Sequence, residues 1–268
     1  MIEAQRWRLI SDGAGDPSWN MAIDQAMLQE LSSGLQLPVL RFYTWSQSAI
    51  TIGRFQNVDR TLCLDDIRRL GIPLIRRSTG GRGVLHGGDL TFCIAILKSH
   101  LPKTNRSNKD VYQYLQSGLT RTLQKLLGHA SRGEDYPLGP STGNCFAIQS
   151  AADLIGPDHS KITGSAMRVY DDRILIQTSI VLRRIVAQEY LMNVFRGSQP
   201  IQSYPFSHIS CEDFKENVLK SYEEAGCLFV RGELTSRERE LANEFALDQF
   251  QPINKDVAFE VIDSRNWV

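Results

Sequence analysis

Apolar residues first recur at helical spacing at Trp19, Ala22, Ile23, Ala26, Met27 and Leu31, just after Asp16 and Pro17, a capping and first-turn pair. This predicts a helix over 17–32. Val39 to Thr44 and Ala49 to Gly53, rich in β-branched and aromatic residues, read as two short strands, and Asp59 to Leu70 as a helix stopped by Gly71 and Pro73. Ile72 to Arg77 and Leu90 to Leu97 read as strands joined by the loop STGGRGVLHGGD, which holds five glycines. Val111 to Leu127 has the pattern of one long amphipathic helix. Strand-like segments follow at Asn144 to Ile148, Ile162 to Tyr170 and Arg173 to Leu182, the last two turning at Asp171-Asp172. Breaker-rich stretches at 99–109 and 131–143 read as loops. Ser210 with Asp213, and Thr235 with Glu238, set capping residues ahead of two further helical runs. Strands followed by helices predict an α+β fold of mixed β-sheets packed with helices, in one domain over 1–268 with a helical C-terminal segment from about 210.

Composition changes this picture little. The 268 residues are 42% hydrophobic, and 30 Lys plus Arg balance 30 Asp plus Glu. Neutrality argues against a protein built to track nucleic acid, which usually carries a basic excess. No stretch reaches the roughly 18 apolar residues of a spanning helix, and the first residues lack a secretory pattern, so a cytoplasmic protein without membrane contact is expected. Five cysteines, widely spaced and without CxxC, fit neither a disulfide framework nor a metal site.

Candidate chemistry lies in three segments. Between Ile67 and Gly88 stand five arginines, Arg68, Arg69, Arg76, Arg77 and Arg82, and no acid, so an anionic group is expected nearby. Gly80, Gly81 and Gly83 would let the backbone turn tightly and offer N–H groups to a ligand, although the spacing is neither Walker A nor GxGxxG. The same loop also fits a simple hairpin with solvated arginines. Cys145 opens an apolar segment after Pro140, Gly143 and Asn144, where a thiol is either reachable or an inert core residue. Lys161 precedes the small residues Thr163, Gly164, Ser165 and Ala166, which would admit a long thin ligand. Residue type alone favours a solvated surface lysine at that position.

Taken together, RRSTGGRGVLHGGDLTF at 76–92, NCF at 144–146 and KITGSAMR at 161–168 resemble, in order and spacing, the signature segments of the lipoate-protein ligase A superfamily, the biotin/lipoate A/B protein ligases. RLISDGAGDPSWNMAIDQAM at 8–27 is similar to its opening helix and LRFYTWSQSAITIGRFQN at 40–57 to its strand pair. LTSRERELANEF at 234–245 and SRNWV at 264–268 resemble its closing helix and tail. A cysteine ahead of the lysine resembles the cysteine-dependent octanoyltransferases. TGGRG, with Arg82 where ATP-using ligases typically carry a third glycine, points the same way, as does a chain that leaves no room for the ligases' extra C-terminal domain. One departure stands out: Gln177 and Thr178 precede Ser179-Ile180, where the family often has histidine and glycine.

The resemblance implies the catalytic fold of biotin/lipoate ligases and an acyltransferase that moves an octanoyl group from acyl carrier protein to a lysine of a lipoyl domain. That acceptor would be glycine cleavage H protein or a 2-oxoacid dehydrogenase E2 subunit. Cys145 would be the nucleophile that forms the thioester, with Lys161 either favouring its thiolate or holding the acyl carbonyl. Arg76, Arg77, Thr79, Gly80, Gly81, Arg82, His86, Gly164, Ser165 and Ala166 would bind substrate, His86 orienting the loop or shuttling a proton. The strands at 72–97 and the small face around Gly164 would line an acyl tunnel. No cofactor is expected. ATP would be needed only by the alternative, a lipoate ligase, and transfer between two lipoyl domains or a binding module without turnover complete the alternatives.

Overall fold

The computed structural model describes residues 5–31, 37–103, 107–133, 143–182, 194–197, 205–206 and 208–254. Its centre is a six-stranded sheet whose order is β11-β1-β2-β6-β10-β9. Those strands are β1 (Gln5–Gly15), β2 (Val39–Trp45), β6 (Asp89–Leu97), β9 (Thr163–Val169), β10 (Arg173–Val181) and β11 (Cys227–Arg231). β11, β1 and β2 run parallel, while β2, β6, β10 and β9 alternate direction. A smaller sheet is formed by β4 (Leu74–Arg76), β3 (Ala49–Ile52) and β5 (Val84–His86) in that order, and β7 (Ser131–Arg132) pairs β8 (Leu154–Ile155).

The period-two alternation of the strands sorts side chains to two buried faces. Leu40, Phe42, Phe92, Ile94 and Ile96 point to one face, where Leu119 and Leu123 of α5 (Ser117–Leu127) and Phe214, Val218 and Tyr222 of α6 (Cys211–Glu223) cover them. Val39, Tyr43, Cys93 and Ala95 point to the other, under α1 (Pro17–Glu30) and α7 (Ser236–Asp248). Asp16 caps α1 by accepting from Ser18 and Trp19 N–H, Ser210 caps α6, and Thr235 with Glu238 forms a capping box on α7. Mixed sheets packed with helices, the α+β class expected, are thus observed. The Asp171-Asp172 hairpin is observed as well.

Several expectations need correction, each because long-range contacts override local pattern. Asp59 to Leu70 is two short helices, α2 (Val58–Thr61) and α3 (Leu64–Arg69); Leu62 between them bridges Phe195, and Cys63 N–H donates to the Val194 carbonyl. The two strands at 39–53 are not partners, since β2 joins the large sheet and β3 the small one. Val111 to Leu127 is broken at Gln116 into α4 (Asn108–Leu115) and α5. The glycine-rich loop contains β5, which pairs with β3. Asn144 to Ile148 is a 3-10 turn over Cys145–Ala147. β1 and β11 have no counterpart in the sequence reading. SRNWV at 264–268 lies outside the described residues.

Candidate active site

The site forms where the end of the β9–β10 hairpin meets the small sheet. Gly83 and Asn144 make an isolated parallel bridge: Gly83 N–H donates to the Gly143 carbonyl at 2.8 Å, and Cys145 N–H donates to the Gly83 carbonyl at 2.7 Å. The Asn144 side chain accepts from Phe146 N–H at 2.9 Å and so closes the 3-10 turn. The glycine loop and the cysteine turn are thus stitched together by backbone. Close packing explains two glycines here. A Cβ on Gly83 would sit 2.4 Å from the Phe195 ring, and one on Gly164 would sit 3.1 Å from Cys145 Sγ.

Lys161 follows β8 and reaches back under this turn. Its Nζ lies 3.2 Å from Cys145 Sγ and donates to the Cys145 carbonyl at 2.6 Å and the Ile148 carbonyl at 2.9 Å. It also pairs with Asp153 Oδ2 at 2.8 Å, both side chains being almost wholly buried. Burial alone would pull the Lys161 ammonium below its ordinary value, but the charges of Cys145 and Asp153 outweigh it and hold the value above. An ammonium has three N–H donors, and here three oxygens take them. With Cys145 Sγ as a fourth acceptor at 3.2 Å, four groups share three donors, and a substrate carbonyl could bind Nζ only by displacing one of them.

Asp153 was not found by sequence reading, because nothing in the local pattern marks it. Besides Lys161 it accepts from Ser150 N–H at 2.7 Å and Ser150 Oγ at 2.8 Å, and from Ser165 N–H at 3.3 Å. It ties the cysteine turn, the lysine and β9 into one unit. Gln116 adds a further tie by donating to Ser165 Oγ at 2.6 Å and to the Ala152 carbonyl at 3.2 Å.

The arginines serve mainly as scaffold. Arg77 is buried, and its guanidinium donates to the Thr51, Gly80 and Arg82 carbonyls and to Thr79 Oγ1. Burial lowers its pKa, and Cys145 lies within its electrostatic reach. Arg76 donates to the Gly53, Arg54 and Gln56 carbonyls, and Arg68 and Arg69 pair with Asp65 and Asp66 on their own helix. Arg82, exposed on the glycine loop, alone of the five makes no side-chain hydrogen bond or ion pair among the described residues. Gly81 holds φ +86°, which explains a glycine there, whereas a Cβ on Gly80 would meet nothing within 4 Å.

His86 is buried and stacked on Trp45 at 3.8 Å between ring centroids. Its Nδ1 bonds Asp89 Oδ2 at 2.7 Å and its Nε2 bonds Thr51 Oγ1 at 2.8 Å. Burial would raise the Asp89 carboxyl, but His86, Ser179 and Gly87 N–H together hold it below its ordinary value. Thr79 Oγ1 donates to Gln177 Oε1 at 2.7 Å, and Gln177 Nε2 donates to Asp24 Oδ2 at 2.7 Å, so the departure from the family pattern is tied into a buried network with Arg41 and Tyr43.

A narrow cavity opens beside Cys145. Gly81, Val84, Gly164, Ala166, Trp45 and Met21 are among its walls. Its volume is about 30 Å³, room for one or two waters. Val84 and the small face at Gly164 and Ala166, expected to line an acyl tunnel, border this cavity, which in this conformation is too small for an eight-carbon chain. Met21, unbranched and adaptable, and Val84 are side chains whose movement would widen it. All five cysteines are free. Among the described residues no group of His, Cys, Asp or Glu is arranged to hold a metal, and no helix is long and apolar enough to cross a membrane.

A family model described as the lipoyl protein ligase A/B catalytic domain matches residues 16–222. The chain is similar to octanoyltransferase LipM of Staphylococcus epidermidis, 33% identical over 182 residues that make up 65% of either chain, just under two thirds of that enzyme. It is also similar to octanoyltransferase LipM of Geobacillus kaustophilus, 31% identical over 269 residues, 91% of this chain and 95% of that one. Among solved structures, a bipartite lipoate protein ligase from Thermoplasma acidophilum, described with its E2 lipoyl domain, has a TM-score of 0.68 at 20% identity and covers 92% of this chain and 93% of that one. At that identity the likeness shows the fold alone.

Proposed function

The chain belongs to the lipoyl protein ligase A/B catalytic-domain family, and on that premise we propose that it transfers an octanoyl group from acyl carrier protein to a lipoyl-domain lysine through a thioester on Cys145. The observation that carries the cysteine is its Sγ 3.2 Å from the Lys161 ammonium, beside an apolar cavity. Octanoyl transfer is the activity named for its LipM relatives.

In the first step Cys145 Sγ attacks the thioester carbonyl carbon of the donor. A carbon–sulfur bond to Cys145 forms, the bond to the donor sulfur breaks, and the donor leaves as a thiol carrying the proton that the cysteine gave up. In the second step the neutral amine of the acceptor lysine attacks the same carbon, the bond to Cys145 breaks, and the amine proton restores the thiol. A thioester is exchanged for a thioester and then for a more stable amide, so no nucleotide is consumed. Lys161, kept charged by Asp153, favours the thiolate. Asp153, Gln116 and the Gly83–Asn144 bridge hold the turn that aims it. Acceptors of the lipoyl-domain class, glycine cleavage H protein or an E2 subunit, fit this chemistry.

Intact mass measurement after mixing with octanoyl-acyl carrier protein, without ATP, tests the reading. Gain of one octanoyl group, lost in Cys145→Ala, supports it. Acceptor modification that requires ATP and survives Cys145→Ala would replace it with the ligase reaction.

A further inference from the structure

On the other side of Gly81 from the apolar cavity lies a second, larger depression of about 760 Å³, open to solvent. Gly81 borders both. Its walls include Arg60, Arg82 and Arg196, with Phe55 at the rim, 85% exposed. No acidic residue contributes to the walls among the described residues, although the whole chain is neutral. Among the described residues Arg60 and Arg82, both exposed, make no ion pair or side-chain hydrogen bond, and the Arg196 side chain is held there by Nε donating to the Leu62 carbonyl. Arg54 stacks over the Phe55 ring and adds a fourth cation close by. The carbonyl of Gly143, also in the wall, accepts from Gly83 N–H, and the Gly83 carbonyl accepts from Cys145 N–H. One backbone bridge therefore separates the basic groove from the nucleophile.

We propose that this groove seats the 4′-phosphopantetheine arm of a carrier-bound acyl donor, its phosphate held by Arg60, Arg82 and Arg196 while its thioester reaches Cys145 past Gly81. The inference rests on the thioester reading and goes beyond it by placing the leaving side of the donor. A thioester presented to Cys145 has two substituents, the acyl chain and the thiol arm. The apolar cavity suits the first. The second is polar and amide-bearing, and ends in a phosphodiester on the carrier, which suits a wide groove with cations and no acid. Three fixed positive charges would also draw an anionic carrier toward the correct side of the cysteine. The exposed Phe55 ring offers the carrier an apolar contact at the rim.

The test compares octanoyl-4′-phosphopantetheine with octanoyl-pantetheine, which share a thioester and differ by one phosphate. Cys145 acylation of the full chain is followed by mass spectrometry, and the readout is the ratio of kcat/KM for the two donors. The parent protein should prefer the phosphorylated donor. That preference should shrink about two- to fivefold in each of Arg60→Ala, Arg82→Ala and Arg196→Ala, the size of an exposed charge pair, and should stand in Arg237→Ala on the far α7 helix. Raising the salt concentration should shrink it in the parent protein too, a measurement independent of any variant. Equal rates for both donors, or a preference untouched by all three substitutions and by salt, would overturn the proposal while leaving the thioester reading intact. A preference seen only with octanoyl-coenzyme A, and not with octanoyl-4′-phosphopantetheine, would overturn it in favour of a nucleotide site. Acylation by none of these donors or by octanoyl-acyl carrier protein would overturn both readings.

Discussion

Replacing Lys161 with alanine removes an ammonium 3.2 Å from Cys145 Sγ and leaves the Asp153 carboxylate buried without its cation. Two consequences follow, and they separate. At 3.2 Å the attraction between the ammonium and a thiolate is about 1.3 kcal/mol in a water-like dielectric and about 5 kcal/mol at an effective dielectric of about 20. Even the lower figure is nearly a tenfold loss of thiolate preference, so thiol alkylation at neutral pH should slow by about tenfold or more and its pH profile should move upward. Breaking a buried pair from one side also costs about 3–5 kcal/mol of stability. Asp153→Asn should destabilise for the mirror reason. Lys161 and both Ser150 groups donate to one oxygen and Ser165 N–H to the other, so an amide nitrogen at either position faces donors. In the double variant Lys161→Ala, Asp153→Asn the uncompensated charges are gone, and the stability loss measured by urea unfolding should fall short of the sum of the single losses by about 2 kcal/mol or more. Alkylation should not recover, because the cation is still missing. A Lys161→Ala profile that overlays the parent's would refute the electrostatic argument and confine the lysine to holding the turn through the Cys145 and Ile148 carbonyls.

Four further outcomes are expected. Cys145→Ala should abolish octanoyl transfer while leaving the thermal midpoint within a few degrees, whereas replacing Cys63, Cys93, Cys211 or Cys227 should leave turnover in place; normal transfer by Cys145→Ala would end the covalent mechanism. Gly164→Ala puts a methyl 3.1 Å from Sγ, and acylation should fall about tenfold from the misplaced thiol, which single-turnover mass measurement would read. Gly81→Ala, at φ +86°, should cost about 1–2 kcal/mol in urea unfolding, while Gly80→Ala, in open space, should cost less than about 0.5 kcal/mol. A side chain at Gly81 thus strains the fold as well as the site. For pH, the Asp89 carboxyl is held below its ordinary 3.8, so its stabilisation is full above that value and is lost as pH falls through the lower folded value. Unfolding curves of Asp89→Asn and the parent should therefore converge on acidification. Lys161, held above 10.5, contributes stability below that value and loses it only as pH rises through its folded value, so activity between pH 6 and 9 should show no step from the lysine.

What could be read in the sequence was what local physics decides. The Asp16-Pro17 start of α1, the capping residues of α6 and α7 and the Asp171-Asp172 hairpin depend on neighbours a few residues away, and they stand where the pattern put them. The errors share a cause. β1 alternates over Arg6, Trp7, Arg8 and Leu9 but loses the period where Ile10 is buried beside Leu9 and at a bulge between Ser11 and Ala14, and becomes a strand because β11 and β2 flank it in parallel. Arg8 is tolerated because Glu238 of α7 pairs with it across the molecule. The kink at Gln116 exists because its amide is drawn to Ser165 and Ala152, partners 49 and 36 residues away. No window of helical periodicity contains that information.

The site shows the same division more sharply. Cys145 and Lys161 were reachable because a motif names them, but their relation depends on a turn that the sequence suggests is a strand. In an extended strand over 144–148, alternate side chains would face opposite ways. A 3-10 turn instead brings the Cys145 and Ile148 carbonyls together on one Nζ and leaves Sγ beside it. The loop arginines read as an anion site since five cations stood without an acid nearby in sequence. In the folded chain backbone carbonyls absorb Arg76 and Arg77, and helix partners absorb Arg68 and Arg69, leaving Arg82 without a partner among the described residues. Charge that looks uncompensated along a chain is thus informative only after the carbonyls are counted. Arg82 acquires meaning from two residues that no loop motif includes, Arg60 on a four-residue helix and Arg196 far downstream, which the fold sets around one groove.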